Sequence, residues 1–239
     1  MSEESKVVII TGASQGIGAS LVSGFLDRGY RVVANSRSIG PDAFGDRGVL
    51  TVDGDIADPR TAERVVGGAL DRFGRVDTLV NNAGAFLSRP FVDYTEADFS
   101  RLVSVNLAGF FHISQRAAAF MLRQGSGHIV NITTSLVDQP LADLPAAMAA
   151  LTKGGLAAVT GSLAIEFAGR GVRVNAVSPG IIKTPMHPVE AHGFLAGLHP
   201  MRRMGETREI VEAVLYLESA AFVTGEVLHV DGGQHAGRW

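Results

Sequence analysis

The segment Val7-Val8-Ile9-Ile10-Thr11-Gly12-Ala13-Ser14-Gln15-Gly16-Ile17-Gly18 decides how this chain folds. Its apolar run, residues 7–10, is typical of a strand buried in a parallel sheet. The residues that follow, 19–28, repeat apolar side chains at three- and four-residue intervals, which predicts a helix. A glycine-rich turn between such a strand and helix lets a dinucleotide pyrophosphate reach backbone N–H groups and the positive end of the helix dipole.

The glycines of this turn stand at 12, 16 and 18, which gives the spacing GxxxGxG in place of the GxGxxG fingerprint. An ordinary tight turn is the alternative, but the position after the first strand favours nucleotide binding. The residues predicted to hold the pyrophosphate are Gly12, Ser14, Gln15, Gly16, Ile17 and Gly18.

Composition narrows the class of protein. A length of 239 residues, an apolar fraction of 46% and 29 glycines predict one α/β domain over residues 1–239. A net charge of -3 without a basic patch disfavours nucleic-acid binding. The lack of cysteine excludes disulfides, thiolate metal sites and cysteine nucleophiles, and no metal site is predicted.

Nothing at the N-terminus resembles a targeting segment, because residues 1–6 are polar and lead directly into the first strand. No apolar stretch is expected to approach the ~20 residues that span a bilayer. The prediction is a soluble, cytoplasmic protein with no membrane partner.

Strand and helix patterns alternate to the end of the chain. The further strands are predicted at 31–35, 48–52, 76–80, 128–132, 173–177 and 226–230, and the further helices at 60–73, 96–122 with one break, 147–168 and 208–217. This alternation predicts a doubly wound parallel sheet of seven strands with helices on both faces. Such sheets bind ligands at the carboxyl ends of their strands. The irregular segment 183–205 is predicted to be a substrate loop.

Ser36 and Arg37 follow the second strand, where NAD-preferring folds place an acidic residue for the ribose 2′-hydroxyl. A guanidinium binds a 2′-phosphate well, and a carboxylate would repel it. The pair therefore favours NADP(H); the alternative is that Arg37 is a solvated loop side chain.

Other strand ends carry small residues and bends that suit the rest of a dinucleotide. Asp55 and Ile56 are placed to flank an adenine, and residues 81–84 let the backbone approach a flat ring. A bend at 178–184 exposes backbone groups suited to a nicotinamide carboxamide. The residues predicted here are Asp55, Ile56, Asn82, Ala83, Gly84, Pro179, Gly180, Ile182 and Thr184.

Taken together, these motifs resemble those of the short-chain dehydrogenase/reductase family. The resemblance rests on residues 11–18, 55–56, 81–84, Asn106, Lys153, 179–180, 223–226 and 230–233, and it covers essentially the whole chain. It implies a single Rossmann-type domain, a nicotinamide cofactor, and hydride transfer to or from a carbonyl or alcohol carbon. It also implies a homotetramer or homodimer that pairs through the helices at 96–122 and 147–168.

The family's catalytic residues are a Tyr-x-x-x-Lys pair, a Ser or Thr after the fifth strand, and an Asn on the long helix. Asn106 and Lys153 match two of these positions, and the family's lysine also binds the nicotinamide ribose. Thr134 is the first candidate for the hydroxyl residue. Ser135 stays an alternative because the segment 134–149 is two residues longer than the family's usual spacing.

Ala149 stands where the family has its tyrosine, four residues before Lys153. Reduction of a ketone needs a proton at the developing alkoxide, and the tyrosine normally supplies it. None of Tyr30, Tyr94 and Tyr216 matches a catalytic position, and Ala146 occupies the wider spacing that enoyl reductases use.

Three hypotheses follow from the missing acid. The protein is an NADPH-dependent carbonyl reductase whose proton comes from Lys153 through water, or from His187, His192 or His199. Alternatively it reduces an imine or iminium, whose carbon is already activated by positive charge. In the third hypothesis it binds NADP(H) without catalysis, as a sensor or assembly partner.

The predicted substrate wall is mostly apolar, which favours a small hydrophobic or cyclic substrate. It comprises Phe86, Leu87, Leu136, Leu141, Leu144, Met148 and the segment 186–198. A charged substrate would need Arg89 or Lys183.

Overall fold

A computed structural model describes residues 5–45 and 48–237. Seven parallel strands form one sheet in the order β3-β2-β1-β4-β5-β6-β7. They are β1 (Val7–Thr11), β2 (Arg31–Ser36), β3 (Val49–Asp53), β4 (Thr78–Asn81), β5 (Gly127–Ile132), β6 (Val172–Pro179) and β7 (Val227–Val230). The order reverses direction between β1 and β4, so a crevice opens at their carboxyl ends.

Helices cover both faces of the sheet. They are α1 (Gly16–Asp27), α2 (Pro59–Phe73), α3 (Glu96–Val103), α4 (Gly109–Gln124), α5 (Ala147–Ala168), α6 (His192–Gly197) and α7 (Thr207–Ser219). One apolar core joins the sheet to α2, α4 and α5, and the other joins it to α1 and α7. The predicted doubly wound α/β fold is confirmed.

Strand β1 shows why the sheet is buried on both sides. Val7 and Ile9 belong to the core beneath α2 and α4, whereas Val8 and Ile10 belong to the core beneath α1 and α7. Successive side chains of a strand point to opposite faces. A continuous apolar run is therefore what a strand between two helical layers requires.

The predicted elements exist, with ends that shift by a few residues. The fourth strand begins at Thr78, two residues later than predicted, because the Asp77 carboxylate accepts a hydrogen bond from the Val7 N–H at 2.8 Å and pairs with Arg75. The predicted break in the long helix is a π-helical turn, Ser104–Ala108, between α3 and α4.

The prediction that no apolar stretch approaches 20 residues is wrong. Helix α5 has 22 residues and an 18-residue window of mean hydropathy 1.3, so by length and composition it is one helix that could cross a bilayer. The apolar character of α5 comes largely from small alanines, so its sequence shows no continuous block of large apolar residues. Here α5 packs against β6 and carries Lys153 in the protein interior, and one such helix is weak evidence for a membrane span.

Candidate active site

A cavity of about 420 Å³ lies at the carboxyl ends of the strands. Every residue predicted to hold a dinucleotide lines it: Gly12, Ser14, Gln15, Gly16, Ile17, Gly18, Ser36, Arg37, Asp55, Ile56, Asn82, Ala83, Gly84, Lys153, Pro179, Gly180, Ile182 and Thr184. Residues from six separate stretches of the sequence thus meet in one cavity.

The glycine turn is shaped by close backbone contacts. Gly12 has φ +66°, a left-handed conformation that side chains disfavour, and a Cβ there would lie 2.9 Å from the Ala83 Cα. A Cβ on Gly18 would collide with the Gly12 carbonyl oxygen. These two glycines therefore keep the turn tight against the end of β4 and leave the cavity side of the loop open.

Hydrogen bonds tie this turn to β4. The Thr11 hydroxyl accepts from the backbone N–H groups of Asn82 (3.1 Å) and Ala83 (3.0 Å). In return, the Asn82 amide donates to the carbonyl oxygens of Thr11 (2.9 Å) and Gly12 (3.2 Å). Because its amide hydrogens are used in this way, Asn82 holds the loop in place.

The N-terminus of α1 offers free donors to an anion. Its N-cap residue, Gln15, makes no capping hydrogen bond, and the first turn of the helix carries no acidic side chain. Nearby, the hydroxyls of Ser14 and Ser36 lie 2.9 Å apart, and Arg37 completes this part of the wall. A helix N-terminus, two hydroxyls and a guanidinium fit a pyrophosphate and a ribose 2′-phosphate.

Ala149 and Lys153 lie one turn apart on α5, and both line the cavity. The Lys153 ammonium donates to the Ile132 carbonyl oxygen at 2.7 Å. Burial disfavours its charged form and lowers the pKa of Lys153 to about 8. Ala149 contributes only a methyl group, so no acid extends from that turn of the helix.

Asn106 does not line this cavity. It lies in the π-helical turn, 1% exposed, where its Oδ1 accepts from the Ala85 N–H (2.8 Å). Its amide nitrogen donates to the Ala85 carbonyl oxygen (3.0 Å) and the Thr152 hydroxyl (3.0 Å). Both amide hydrogens are used, so Asn106 bridges the loop after β4 to α5, which corresponds to the backbone-bridging role that sequence reasoning left open.

Of the two candidate hydroxyls after β5, the structure brings only Thr134 to the cavity. Ser135 is 1% exposed, and its hydroxyl donates to Gln234 at 3.0 Å, away from the cavity wall. The short helical turn Ser135–Val137 begins there, so successive side chains diverge. Ser135, the alternative that the sequence offered, is therefore not placed to contact a substrate in this cavity.

The three loop histidines differ in their surroundings. His199 is 1% exposed, accepts from the Ile181 N–H at 2.9 Å and contacts the Leu195 carbonyl oxygen at 3.1 Å, so it braces the bend after β6. His192 contacts the His187 carbonyl oxygen and does not line the cavity. His187 does line it, but burial lowers its pKa, which favours the neutral form near pH 7. The prediction that His192 or His199 donates a proton to the substrate is therefore wrong, because neither residue lines the cavity.

The substrate wall is partly as predicted. Phe86, Leu136, Leu144, Met186 and Leu195 line the cavity, whereas Leu87, Leu141 and Met148 do not. Met148 is buried, with 3% of its surface exposed.

The two cations proposed for charged substrates also lie elsewhere. Arg89 pairs with Asp98 at 2.6 Å, and Lys183 pairs with Glu206 at 2.6 Å. Because each ammonium or guanidinium already has a carboxylate partner outside the wall, neither is positioned to bind a substrate anion.

Sequence reasoning missed several wall residues. Arg101 and Val105 reach the cavity from consecutive turns of α3 and the π-helical turn, and Ile181 and Pro185 reach it from the segment after β6. The four-residue spacing of Arg101 and Val105 showed a shared helix face but not what that face would meet. Within the residues that the structure describes, no group of three or more His, Asp or Glu side chains could hold a metal ion.

Known proteins resemble this chain over nearly its whole length. A family model described as enoyl-(acyl carrier protein) reductase matches residues 12–235. The 3-oxoacyl-[acyl-carrier-protein] reductase of Vibrio cholerae is 35% identical over 245 residues, covering 98% of this chain and 99% of that protein.

Solved structures are also similar. ElxO with NADP bound has a TM-score of 0.91 and 30% identity over 98% of this chain and 100% of its own, and a tyrosine-to-phenylalanine variant of ElxO with NADPH bound gives the same values. The 3-ketoacyl-(acyl-carrier-protein) reductase of Brucella melitensis, complexed with NADH, has a TM-score of 0.88 and 30% identity over 97% of this chain and 99% of its own.

Proposed function

The chain belongs to the short-chain dehydrogenase/reductase family, and from that premise we propose that it is an NADP(H)-dependent reductase of a small, mostly apolar carbonyl compound. The observation that carries the proposal is the single cavity in which the dinucleotide-binding residues, Thr134 and Lys153 meet an apolar wall. The relatives named as 3-oxoacyl reductases support a carbonyl substrate.

The cofactor is held by residues of this chain in named roles. The N-terminus of α1 binds the pyrophosphate, and Ser14, Ser36 and Arg37 bind the 2′-phosphate. Lys153 binds the nicotinamide ribose, and the bend at Pro179 and Gly180 meets the carboxamide. When bound, the nicotinamide supplies the hydride. A solved tyrosine-to-phenylalanine variant of ElxO with NADPH supports cofactor binding when a tyrosine hydroxyl is missing.

Thr134 orients the substrate oxygen. Its hydroxyl oxygen accepts only a long hydrogen bond, 3.4 Å from the Leu136 N–H, so the hydroxyl hydrogen is available to a carbonyl oxygen in the cavity. A threonine hydroxyl is too weak an acid to protonate an alkoxide, so its contribution is positioning and electrostatic stabilisation.

Lys153 is the proton donor. It lines the cavity, and its lowered pKa of about 8 lies near the operating pH, where a general acid is most effective. His187 is a poorer donor because burial lowers its pKa and leaves it neutral near pH 7. The ammonium delivers its proton to the substrate oxygen through an intervening hydroxyl group, such as that of water, and is reprotonated from solvent.

The proposal is tested by measuring NADPH oxidation with a panel of apolar ketones, aldehydes and cyclic imines. We expect NADPH to bind and turnover to occur with at least one ketone or aldehyde, faster at pH 6.5 than above the pKa of Lys153 at about 8. Tight NADPH binding without oxidation of any compound would instead identify a binding protein, the third hypothesis above.

Imine reduction is the second candidate, and Ala149 is the observation that favours it. An iminium carbon accepts hydride without a proton donor at its partner atom, so a cavity that presents only a methyl group there is sufficient. Turnover of cyclic imines but not of ketones in the same panel would select this reaction.

Arg37→Gln is expected to lower kcat/KM for NADPH by about 10- to 100-fold and to leave kcat/KM for NADH nearly unchanged. The reason is that only NADPH carries the 2′-phosphate, and a charge-assisted hydrogen bond contributes about 1.5–3 kcal/mol. Arg28→Gln, at the opposite end of α1, is the matched control because Arg28 does not line the cavity. An unchanged NADPH-to-NADH ratio would show that Arg37 is a solvated side chain.

We propose that copies pair through α4 and α5, on which Phe111, Leu151 and Ile165 are 53%, 57% and 84% exposed. Apolar side chains on adjacent helices are typical of an interface between subunits. A homodimer or homotetramer in the cytoplasm is the assembly that we expect.

A further inference from the structure

The first turn of α5 leaves space beside the proton donor. Ala149 and Lys153 both line the cavity, and the four-residue spacing places them on one face of the helix. A methyl group at 149 therefore leaves open the volume next to Lys153 that a larger side chain would fill. This space belongs to the same cavity in which the substrate is proposed to bind.

The apolar part of the cavity that contains this space suits an aromatic ring. Phe86, Leu136, Leu144 and Leu195 line the same cavity. Leu144 also packs against the apolar cluster of Ile181, Leu195 and Met204, so the loop before α5 and the segment after β6 close over this end together. Apolar surface in a concave site favours burial of a flat hydrophobic group.

Few hydrogen-bonding side chains remain to receive a polar group there. The Thr133 hydroxyl is already bonded to the Val177 carbonyl oxygen, and Ser135 points to Gln234. The Lys153 ammonium donates one of its three hydrogens to the Ile132 carbonyl oxygen, and two hydrogens remain. Of the side chains after β5 and on α5, Lys153 and Thr134 therefore line this cavity with hydrogens left to donate to a polar group.

We infer that the space beside Ala149 is a subsite for a hydroxyl-bearing ring of the substrate, and that the substrate's own hydroxyl relays the proton from Lys153 to its carbonyl. The substrate class is a ketone with a phenolic or enolic hydroxyl next to the carbonyl. This inference rests on the proposed reductase function and specifies which ketones that site accepts.

Hydride from NADPH adds to the carbonyl carbon, and the carbonyl oxygen takes the proton of the neighbouring hydroxyl. That hydroxyl oxygen regains a proton from the Lys153 ammonium, which solvent then reprotonates. The sum is ketone, NADPH and one proton giving alcohol and NADP⁺. A phenol has a pKa near 10, and the neighbouring cation lowers it, so the group is a suitable relay.

The test compares 2′-hydroxyacetophenone with 2′-methoxyacetophenone, in which the donor proton is replaced by a methyl group. For the natural chain we expect kcat/KM to be at least about 100-fold higher for the hydroxyl compound, the usual contribution of a general acid. In Ala149→Tyr the ratio is expected to fall below about tenfold. Any intrinsic activation of the ketone by its own hydroxyl is present in both proteins and cancels from the comparison.

A binding measurement tests the subsite without catalysis. Phenol is titrated by calorimetry into the protein without cofactor and into Ala149→Phe, which fills the space with a ring but supplies no acid. We expect the natural chain to bind phenol and the affinity to fall at least about tenfold in Ala149→Phe, because the added ring occupies the subsite. Equal phenol affinity in the two proteins would overturn the subsite.

The kinetic outcomes separate this inference from the function on which it rests. Turnover of both acetophenones at similar rates by the natural chain overturns the relay and leaves the reductase function standing. Failure to oxidise NADPH with these or any other carbonyl compounds overturns the reductase function itself. If the tyrosine variant fails to fold, a ratio near one in the natural chain still overturns the relay, because intrinsic activation by the hydroxyl can only raise that ratio.

Discussion

Ala149→Tyr is expected to raise kcat/KM for a simple ketone such as acetophenone by about 10²- to 10⁴-fold. Residue 149 lies in the cavity wall one helical turn from Lys153, so a tyrosine there would extend beside the ammonium. The positive charge would lower the pKa of the phenol, and the hydroxyl would donate to the alkoxide as it forms. The result would identify the acid as the missing part of an otherwise complete site.

The matched control is Ala149→Phe, which adds the same ring without the hydroxyl. Its activity with acetophenone is expected to stay at or below that of the natural chain, so a gain confined to the tyrosine variant reports proton donation rather than packing. Both are measured by steady-state NADPH oxidation. If the natural chain already reduces simple ketones rapidly, or if the phenylalanine variant gains as much as the tyrosine variant, the missing-acid account is wrong.

Lys153→Met is expected to lower kcat/KM by at least about 100-fold, because the variant loses both the proton donor and the ribose contact. It is also expected to weaken NADPH binding measured without substrate. Methionine has a similar length and no charge, so the change removes the ammonium with little change in packing. With this variant the decline of activity above about pH 8, where Lys153 loses its proton, should disappear.

The same variant is expected to be more stable than the natural chain. The folded pKa of Lys153 is about 8, below its ordinary 10.5, so the unfolded chain holds the proton more tightly. Burying the ammonium therefore costs up to about 3 kcal/mol below pH 8, and this cost vanishes as pH rises from 8 to 10.5. The stability advantage of methionine should be largest below pH 8 and smallest near pH 10.5.

Denaturant unfolding of both proteins at pH 7 and pH 10 measures this difference. A methionine variant that loses activity but gains free energy of unfolding at pH 7 would show that Lys153 is kept for function at the expense of stability. A variant that is less stable at both pH values would show that the hydrogen bond to the Ile132 carbonyl oxygen matters more than the buried charge.

Much of the fold follows from local patterns. Buried strands such as residues 7–10 show a run that only a sheet covered on both faces explains, and helices such as α2 show a Pro start and a Gly74 end in the left-handed conformation. Turn chemistry places each strand end within a few residues. Much of the cavity wall could also be predicted from the sequence, because all parallel strands have their carboxyl ends at the same edge of the sheet.

The direction in which a side chain points was harder to predict from the sequence than the fold. Thr134 and Ser135 are adjacent and chemically alike, but Thr134 lines the cavity whereas the Ser135 hydroxyl, in the turn that begins there, donates to Gln234. Similarly, His199 and His187 share one loop, but His199 is locked by the Ile181 N–H whereas His187 reaches the cavity. Hydrogen-bond partners distant in sequence decide such cases.

Order and spacing along the chain are enough to predict the doubly wound sheet and the glycine turn at 12–18, because periodicity and backbone conformation are local properties. Packing of distant segments settles the rest. Packing places Asn106 outside the cavity, where its side chain accepts a hydrogen bond from the Ala85 N–H. It also buries Lys153, which lowers the pKa of its ammonium, and it places Ala149 in the cavity wall. Burial and hydrogen bonding depend on what the fold brings together, and spacing along the chain does not specify those neighbours.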